Sequence, residues 1–280
     1  MPYSYRTLTR ALALAGIEEA ADEASLLLMR YAGASRVSLL TERDRLYDLP
    51  SLEEAVRRRL TREPLQYILG DWEFFGLPFT VSPHCLVPRA DTECLVEQAI
   101  RLIPQGGRFV DLCTGSGCIA VATLANRPDL TGIALELYPE TLALAIRNAA
   151  DNGVAARFTP VEADLLSGGD ESLKPLAPFD AILSNPPYIP SAVIPGLSPE
   201  VQREPLAALD GGEDGLLFYR AILQRYAALL APRGLIILEI GYDQGDALRA
   251  LCRAHLPSAE VEVLQDLGGC DRVVVIRMPA

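Results

Sequence analysis

From residue 108 onward the chain alternates between short apolar runs and amphipathic stretches, and this alternation limits the possible folds more than any other feature. Apolar runs bounded by turn residues predict strands at 108–112, 131–136, 157–162, 179–184, 234–240, 260–265 and 272–278. Helical spacing predicts helices at 117–126, 139–152, 214–231 and 243–255. Such an order calls for an α/β fold with a parallel sheet, because each crossover helix buries its apolar stripe against the sheet. Ligands of these sheets bind outside the carboxyl ends of the strands, where the strand order switches.

Upstream, residues 1–64 predict a small all-helical domain of about four helices. Leu8, Leu12 and Leu14, then Ala24, Leu27, Leu28 and Tyr31, recur at helical spacing. Asp22-Glu23 and Ser51-Leu52-Glu53-Glu54 mark helix starts, the second as a capping box. With no catalytic constellation of its own, this domain is expected to recognise a partner, or else to serve as a stabilising appendage. Residues 65–88 change character: Tyr67, Trp72, Phe74, Phe75, Phe79 and Val81 come with Gly70, Gly76 and Pro78, which predicts a linking β-hairpin. Residues 89–280 form the expected catalytic domain, entered by a helix ending near Ile103 with Asp91 or Thr92 as its N-cap.

The formal charge of −12 over 280 residues is unevenly spread. Residues 1–70 balance ten Arg against ten acids, whereas residues 71–280 carry 15 basic and 27 acidic residues. An acidic catalytic half is poorly matched to a phosphate backbone, so direct nucleic-acid binding is not expected. Arg57, Arg58, Arg59 and Arg62 are expected to be the solvated face of a helix rather than a basic patch. Six scattered cysteines without a CxxC pair, and only two histidines, argue against a zinc site and for reduced thiols in a cytoplasm. No apolar run has the length of a membrane span and no signal-peptide pattern opens the chain. A monomer is expected.

Asp111-Leu112-Cys113-Thr114-Gly115-Ser116-Gly117 follows the first predicted strand of this domain and opens a helix. Its glycines permit a tight turn and close backbone approach to a ligand, and the helix start offers free N–H groups. Glu136 ends the second strand, where a carboxylate can accept both hydroxyls of a ribose. Asp164 follows the third strand, beside Leu165, and can accept from an adenine amino group. Three acids ending successive strands beside a glycine turn outline an adenosine-shaped slot. The slot alone does not separate NAD from S-adenosylmethionine.

The fourth strand supplies the discriminating motif, Asn185-Pro186-Pro187-Tyr188. At average residue usage this string arises by chance in roughly one chain in a thousand. Two prolines end the strand and remove backbone donors. They leave the Asn185 amide and the Pro186 carbonyl as a pair of acceptors for a planar –NH₂, with Tyr188 as a ring to pack on its plane. Hydride transfer has no use for such a pair; methyl transfer to an amide or amino nitrogen does. Residues 189–210 hold four prolines and little periodicity, which predicts a lid ordered by substrate.

With these motifs the chain resembles the protein glutamine N5-methyltransferases along nearly its whole length. The resemblance is carried by Arg62-Glu-Pro-Leu-Gln66-Tyr67-Ile-Leu-Gly70, Val87-Pro-Arg89-Ala-Asp-Thr-Glu93, the Asp111–Gly117 turn, and Asn185-Pro-Pro-Tyr188-Ile. Glu204-Pro-Leu-Ala-Ala-Leu209-Asp-Gly-Gly-Glu-Asp-Gly215 and Asp266-Leu-Gly-Gly-Cys-Asp-Arg272 extend it. It implies a seven-strand, Rossmann-like class I methyltransferase sheet with a reversed last strand. It also implies S-adenosylmethionine as donor and the glutamine of the Gly-Gly-Gln motif of peptide chain release factors as acceptor. Residue by residue it implies catalysis by Asn185, Pro186 and Tyr188, and substrate binding by Asn185, Pro186, Pro187, Tyr188 and Arg89. Cofactor binding would fall to Asp111, Cys113, Thr114, Gly115, Ser116, Gly117, Glu136, Asp164, Leu165 and Asn185. Cys113 stands where release-factor enzymes often carry glycine, and in this it is like relatives acting on a ribosomal protein. Ala90 stands where proline is usual. Alternatives are thus a ribosomal-protein acceptor, an adenine-N6 DNA methyltransferase, which shares the Asn-Pro-Pro-Tyr logic, or a non-catalytic cofactor-binding module.

Overall fold

The structure, a computed structural model, describes residues 2–280. Two compact units are present: one runs to Asp71 and includes Ser198–Arg203, the other comprises Trp72–Leu197 and Glu204–Ala280.

The first unit is helical: α1 (Tyr5–Leu14), α2 (Ala20–Ala32), α3 (Arg36–Thr41), α4 (Pro50–Leu60) and α5 (Leu65–Leu69). The recurring leucines explain it, since Leu8, Leu12, Leu27, Leu28, Leu52 and Val56 are wholly buried. Capping boxes open α1, through Ser4 and Thr7, and α3, through Ser35 and Ser38. The box expected at Ser51 does not form. Proline at the first helical position starts α4 two residues earlier than that box would, and Glu54 instead binds Arg57. The arginines of this segment are not a freely solvated face either. Arg58 pairs with Glu63, Arg59 with Glu23 and Glu200, and Arg62 with Glu200, and Arg59 is only 3% exposed. Each charge is therefore matched locally. Glu200, which takes two of them, comes from the stretch expected to be a lid.

Within 65–88, expected to be a hairpin throughout, α5 occupies the first five residues. Gly70 ends it in the left-handed conformation, a single helical turn too short to show periodicity. The hairpin itself is β1 (Asp71–Phe74) and β2 (Leu77–Thr80). Phe75 and Gly76 join the strands, both at positive φ (52° and 71°), as a type I′ turn requires. Phe74 and Phe79 are buried edge to face, with centroids 5.9 Å apart, so these aromatics are packing.

The second unit continues with α6 (Glu93–Leu102), β3 (Arg108–Leu112), α7 (Cys118–Asn126), β4 (Thr131–Glu136), α8 (Pro139–Asp151), β5 (Phe158–Glu162), α9 (Gly169–Leu173) and β6 (Phe179–Ser184). It ends with α10 (Leu217–Ala221), β7 (Leu230–Glu239), α11 (Gly245–His255), β8 (Glu260–Gln265) and β9 (Asp271–Arg277). The seven strands from β3 to β9 form one sheet in the order β5-β4-β3-β6-β7-β9-β8, covered on both faces by apolar clusters. Only β9 is reversed: it runs antiparallel to both β7 and β8, while the strands from β5 across to β7 pair in parallel. The predicted helix at 214–231 is interrupted, because α10 passes into a π turn at Ile222–Tyr226 and a 3₁₀ turn at Ala227–Leu229. No glycine or proline announces this. The winding accompanies two tertiary bonds, from the buried Tyr219 and Tyr226 hydroxyls to the carbonyls of Glu239 and Leu165, each 2.8 Å.

One buried residue ties the hairpin to the sheet's ligand edge. Asn148 on α8, fully buried, accepts from the Thr80 N–H (2.8 Å) and donates to the carbonyls of Thr80 (3.0 Å) and Ser116 (2.8 Å). Asn148→Ala would strand those backbone groups in the interior, and we expect a loss of about 2–4 kcal/mol in urea unfolding. A surface control such as Arg147→Ala should change stability by less than about 0.5 kcal/mol.

Candidate active site

The strand order switches at β3, whose neighbours are β4 on one side and β6 on the other. Leu112 and Ser184, the last residues of β3 and β6, are register partners, and the Ser184 hydroxyl donates to the Leu112 carbonyl at 2.6 Å. The turn after β3 and the motif after β6 thus leave the sheet side by side. A cavity of about 380 Å³ opens there, within the range of small-ligand sites.

The turn after β3 is shaped by its glycines. Gly115 sits at φ 59° and Gly117 at φ 80°, and a Cβ on Gly117 would come within 3.1 Å of the Ala145 Cβ on α8. Cys113 also lies in the left-handed region, at φ 57°, where the glycine often found there carries no steric cost. Thr114 donates to Asp111 at 2.6 Å. Asp111 itself is fully buried beneath the turn and does not line the cavity; its second oxygen, Oδ1, has no hydrogen-bond partner among the described residues. Burial pushes its carboxyl up to about 7.

Glu136 lines the cavity from the end of β4. Its Oε2 accepts from Gly115 N–H (3.0 Å), and its Oε1 accepts from Leu137 (2.9 Å) and Tyr138 (3.2 Å). Both oxygens are thereby fixed: Oε1 already accepts two bonds, and Oε2 keeps a lone pair to spare for a donor in the cavity. Burial raises its pKa against these bonds. Asp164 and Leu165 line the cavity after β5; Asp164 Oδ1 accepts from Leu166 N–H at 2.8 Å, and Oδ2 accepts from no described residue. These acceptors suit an adenosine: two anchored acids after adjacent strands, beside the glycine turn.

On the other side of the switch, Asn185 and Pro187 line the cavity, whereas Pro186 and Tyr188 do not. The Asn185 Nδ2 donates to Thr92 Oγ1 at 3.2 Å. Its Oδ1 and the Pro186 carbonyl accept no hydrogen bond from any described residue. Half-buried Tyr188 directs its hydroxyl to Glu239, 3.4 Å away, and its carbonyl accepts from Gln244 at 3.0 Å. Arg89 lines the cavity with its guanidinium engaged by Glu204, whose other oxygen accepts from Val87 N–H at 3.0 Å.

Four residues that the sequence did not single out for the site are placed here. Thr92, expected as a helix cap, makes no cap bond and instead meets Asn185; Asp91 pairs with Arg272 rather than capping. Glu204, Glu239 and Gln244 are buried polar residues at the ends of other elements. An acid inside the otherwise apolar run of β7 was the one available signal, for Glu239. The stretch after the motif is closed at its base by Ile189 pairing with Leu209 and Gly211, and is built of 3₁₀ turns. Among the described residues no His, Cys, Asp and Glu side chains gather into a metal site, and no helix is long and apolar enough to cross a membrane.

Residues 5–70 match the family described as the PrmC N-terminal domain, and residues 90–194 match the methyltransferase small domain. The release factor glutamine methyltransferase of Geobacter sulfurreducens is 42% identical over 268 residues, covering 94% of this chain and 91% of that protein. Its counterpart from Cereibacter sphaeroides is 42% identical over 282 residues, covering 98% and 97%. A solved methyltransferase from Pyrococcus furiosus shares the fold, with a TM-score of 0.52 at 16% identity over 74% of this chain and 91% of that one.

Asp111 gives a test of how the turn is held. Its folded pKa, about 7, lies above the unfolded value near 3.8, so the folded state binds the extra proton between those limits and stability falls as pH rises through them. Asp111→Asn keeps an acceptor for Thr114 and removes the buried charge. We expect it to raise the melting temperature at about pH 8 and to change it little near pH 4, measured by thermal melts at both.

Proposed function

The chain belongs to the release factor glutamine methyltransferases, and from that premise we propose that it methylates the N5 amide nitrogen of the glutamine in the Gly-Gly-Gln motif of peptide chain release factors. The donor in this class of enzyme is S-adenosylmethionine, which supplies an electrophilic methyl on a positively charged sulfur. The observation that carries the reading is Asn185. It lines the cavity next to the glycine turn, with its Nδ2 engaged by Thr92 and its Oδ1 unspent.

Glu136 would hold the ribose hydroxyls and Asp164 the adenine amino group, with Leu165 and the Cys113–Ser116 backbone beside them. Asp111 would act from beneath, by keeping the turn in shape through Thr114. A primary amide is a poor nucleophile because its nitrogen lone pair is delocalised into the carbonyl. Asn185 Oδ1 and the Pro186 carbonyl would each accept one N–H of the substrate amide, drawing out the positive charge that grows on nitrogen. Tyr188 would bear on the amide plane and fix its approach. As the C–N bond forms the methyl–sulfur bond breaks, its electron pair staying on the neutral thioether. The methylated nitrogen, now strongly acidic, releases one N–H proton to water. No strong base is needed at the motif, and orientation and preorganised acceptors provide the acceleration. Arg89, tied to Glu204, would border the entrance for the protein substrate. The helical unit would add recognition, in keeping with its match to the N-terminal domain of this family. An excess of acidic residues after residue 70 favours a protein acceptor over nucleic acid, and six cysteines with no disulfide among the described residues suit a cytoplasmic setting.

Transfer of label from S-adenosylmethionine to purified release factor, with its Gly-Gly-Gln glutamine intact or replaced, tests the proposal. We expect label on the intact protein alone; label on a ribosomal protein instead would move the acceptor, and label on DNA would overturn it. Asn185→Ala should lower turnover by about a hundredfold or more while donor affinity changes less than about threefold, read by calorimetry.

A further inference from the structure

Asn185 can serve as an acceptor only if its amide faces the right way, since a flipped amide would present N–H to N–H. What sets that orientation lies behind the motif. Nδ2 donates to Thr92 Oγ1 at 3.2 Å. Beyond Thr92 lies Glu239, the last residue of β7, 1% exposed. Its Oε1 is 3.4 Å from the Tyr188 hydroxyl. The Thr92 hydroxyl is near enough to favour the charged form of Glu239, and Oε2 is buried with no hydrogen-bond partner among the described residues. A buried, half-satisfied carboxyl behind a candidate catalytic loop calls for a functional account.

We infer that Glu239 and Thr92 are positioning residues that orient Asn185, through a directional chain running from Asn185 Nδ2–H to Thr92 Oγ1–H to the Glu239 carboxylate. The inference rests on the reading of Asn185 as the acceptor for the substrate amide. Each hydroxyl proton can be given to one acceptor only. With Glu239 ionised, the Thr92 proton turns to Oε2, Oγ1 is left to accept from Nδ2, and Oδ1 faces the cavity. With Glu239 protonated, the acid proton can be given to Oγ1. Thr92 then donates toward Asn185, which favours Oδ1 inward and Nδ2 outward, the unproductive face. The ionised chain also polarises the Asn185 amide, making Oδ1 a stronger acceptor, and it anchors Tyr188 from the same carboxylate.

The surroundings put this change in an accessible range. Burial dominates and raises the Glu239 pKa to about 7, opposed by Thr92, Arg272 and Tyr188 and reinforced by Asp91. Arg272 faces it from β9 while shared with Asp91 and Asp266, each at 3.2 Å. The remaining titratable neighbours, Tyr219 and Cys118, have pKa values pushed up by burial and stay neutral at these pH values.

Two measurements test the chain. In the free, isotope-labelled protein without donor or substrate, the Asn185 side-chain NH₂ resonances, assigned by their loss in Asn185→Ala, should shift with a midpoint near pH 7 and become flat in Glu239→Gln. In turnover, Thr92→Val should lower kcat by roughly tenfold to a hundredfold, with KM for release factor and donor affinity nearly unchanged, and Thr92→Ser should restore it. The wild-type kcat should rise through the same midpoint. Flat Asn185 resonances in the wild-type protein between about pH 5.5 and 8.5 would overturn the inference, as would equal kcat for Thr92→Val and Thr92→Ser. The titration needs no substrate, so it separates the two readings. A titrating Asn185 in a protein that labels no release factor would sink the proposed acceptor and leave the chain standing.

Discussion

The adjacency of β3 and β6 at the middle of the sheet is the constraint on which the site depends. From β3 the chain crosses outward to β4 and β5, then returns to the other side of β3 for β6 and β7. Neighbouring connections therefore leave their strands in opposite directions, and a cleft opens between them that no helix fills. The Leu112–Ser184 pairing, with its side-chain bond, fixes how far apart the two loops start. The glycine turn and the Asn-Pro-Pro-Tyr segment can cooperate because hydrogen-bond register, rather than loop flexibility, sets their spacing.

Around that cleft the protein accepts an electrostatic cost. Asp111, Glu136, Glu204 and Glu239 are all nearly or fully buried, and for each the largest influence is desolvation, which raises the pKa. Backbone N–H groups hold Glu136, an arginine holds Glu204, and hydroxyls face Asp111 and Glu239. For two of them the compensation is partial: among the described residues Asp111 Oδ1 and Glu239 Oε2 have no hydrogen-bond partner. A cationic methyl donor and an amide becoming positive would both be stabilised by acids held this way. The same acids burden the fold, because each loses hydration that its bonds replace only in part.

Much of this was legible in the chain. All seven sheet strands lie close to their predicted positions, because each is a short apolar run bounded by turn residues. The glycine turn, Glu136, Asp164 and Asn185 were found as local signals at strand ends. Long-range partnerships were not legible. Nothing near Thr92 in sequence says that its hydroxyl meets Asn185, 93 residues away, rather than capping its own helix. Nothing near Arg59 says that Glu200 will neutralise it. The π turn after α10 accompanies bonds from two tyrosines to the carbonyls of Glu239 and Leu165, which propensity does not register.

The sequence by itself determined the fold class, the strand ends and the identity of the groups offered there. Period-two and period-3.6 apolar patterns are local consequences of burial, and glycine and proline act on their own dihedral angles. Tertiary structure alone decided which offered groups meet. It sank Asp111 beneath its turn, turned Thr92 toward Asn185, and set Glu239 against the Tyr188 hydroxyl. The physical reason is that hydrogen bonds and burial depend on distances across the sheet, and those are set by strand order and register, which no single segment encodes.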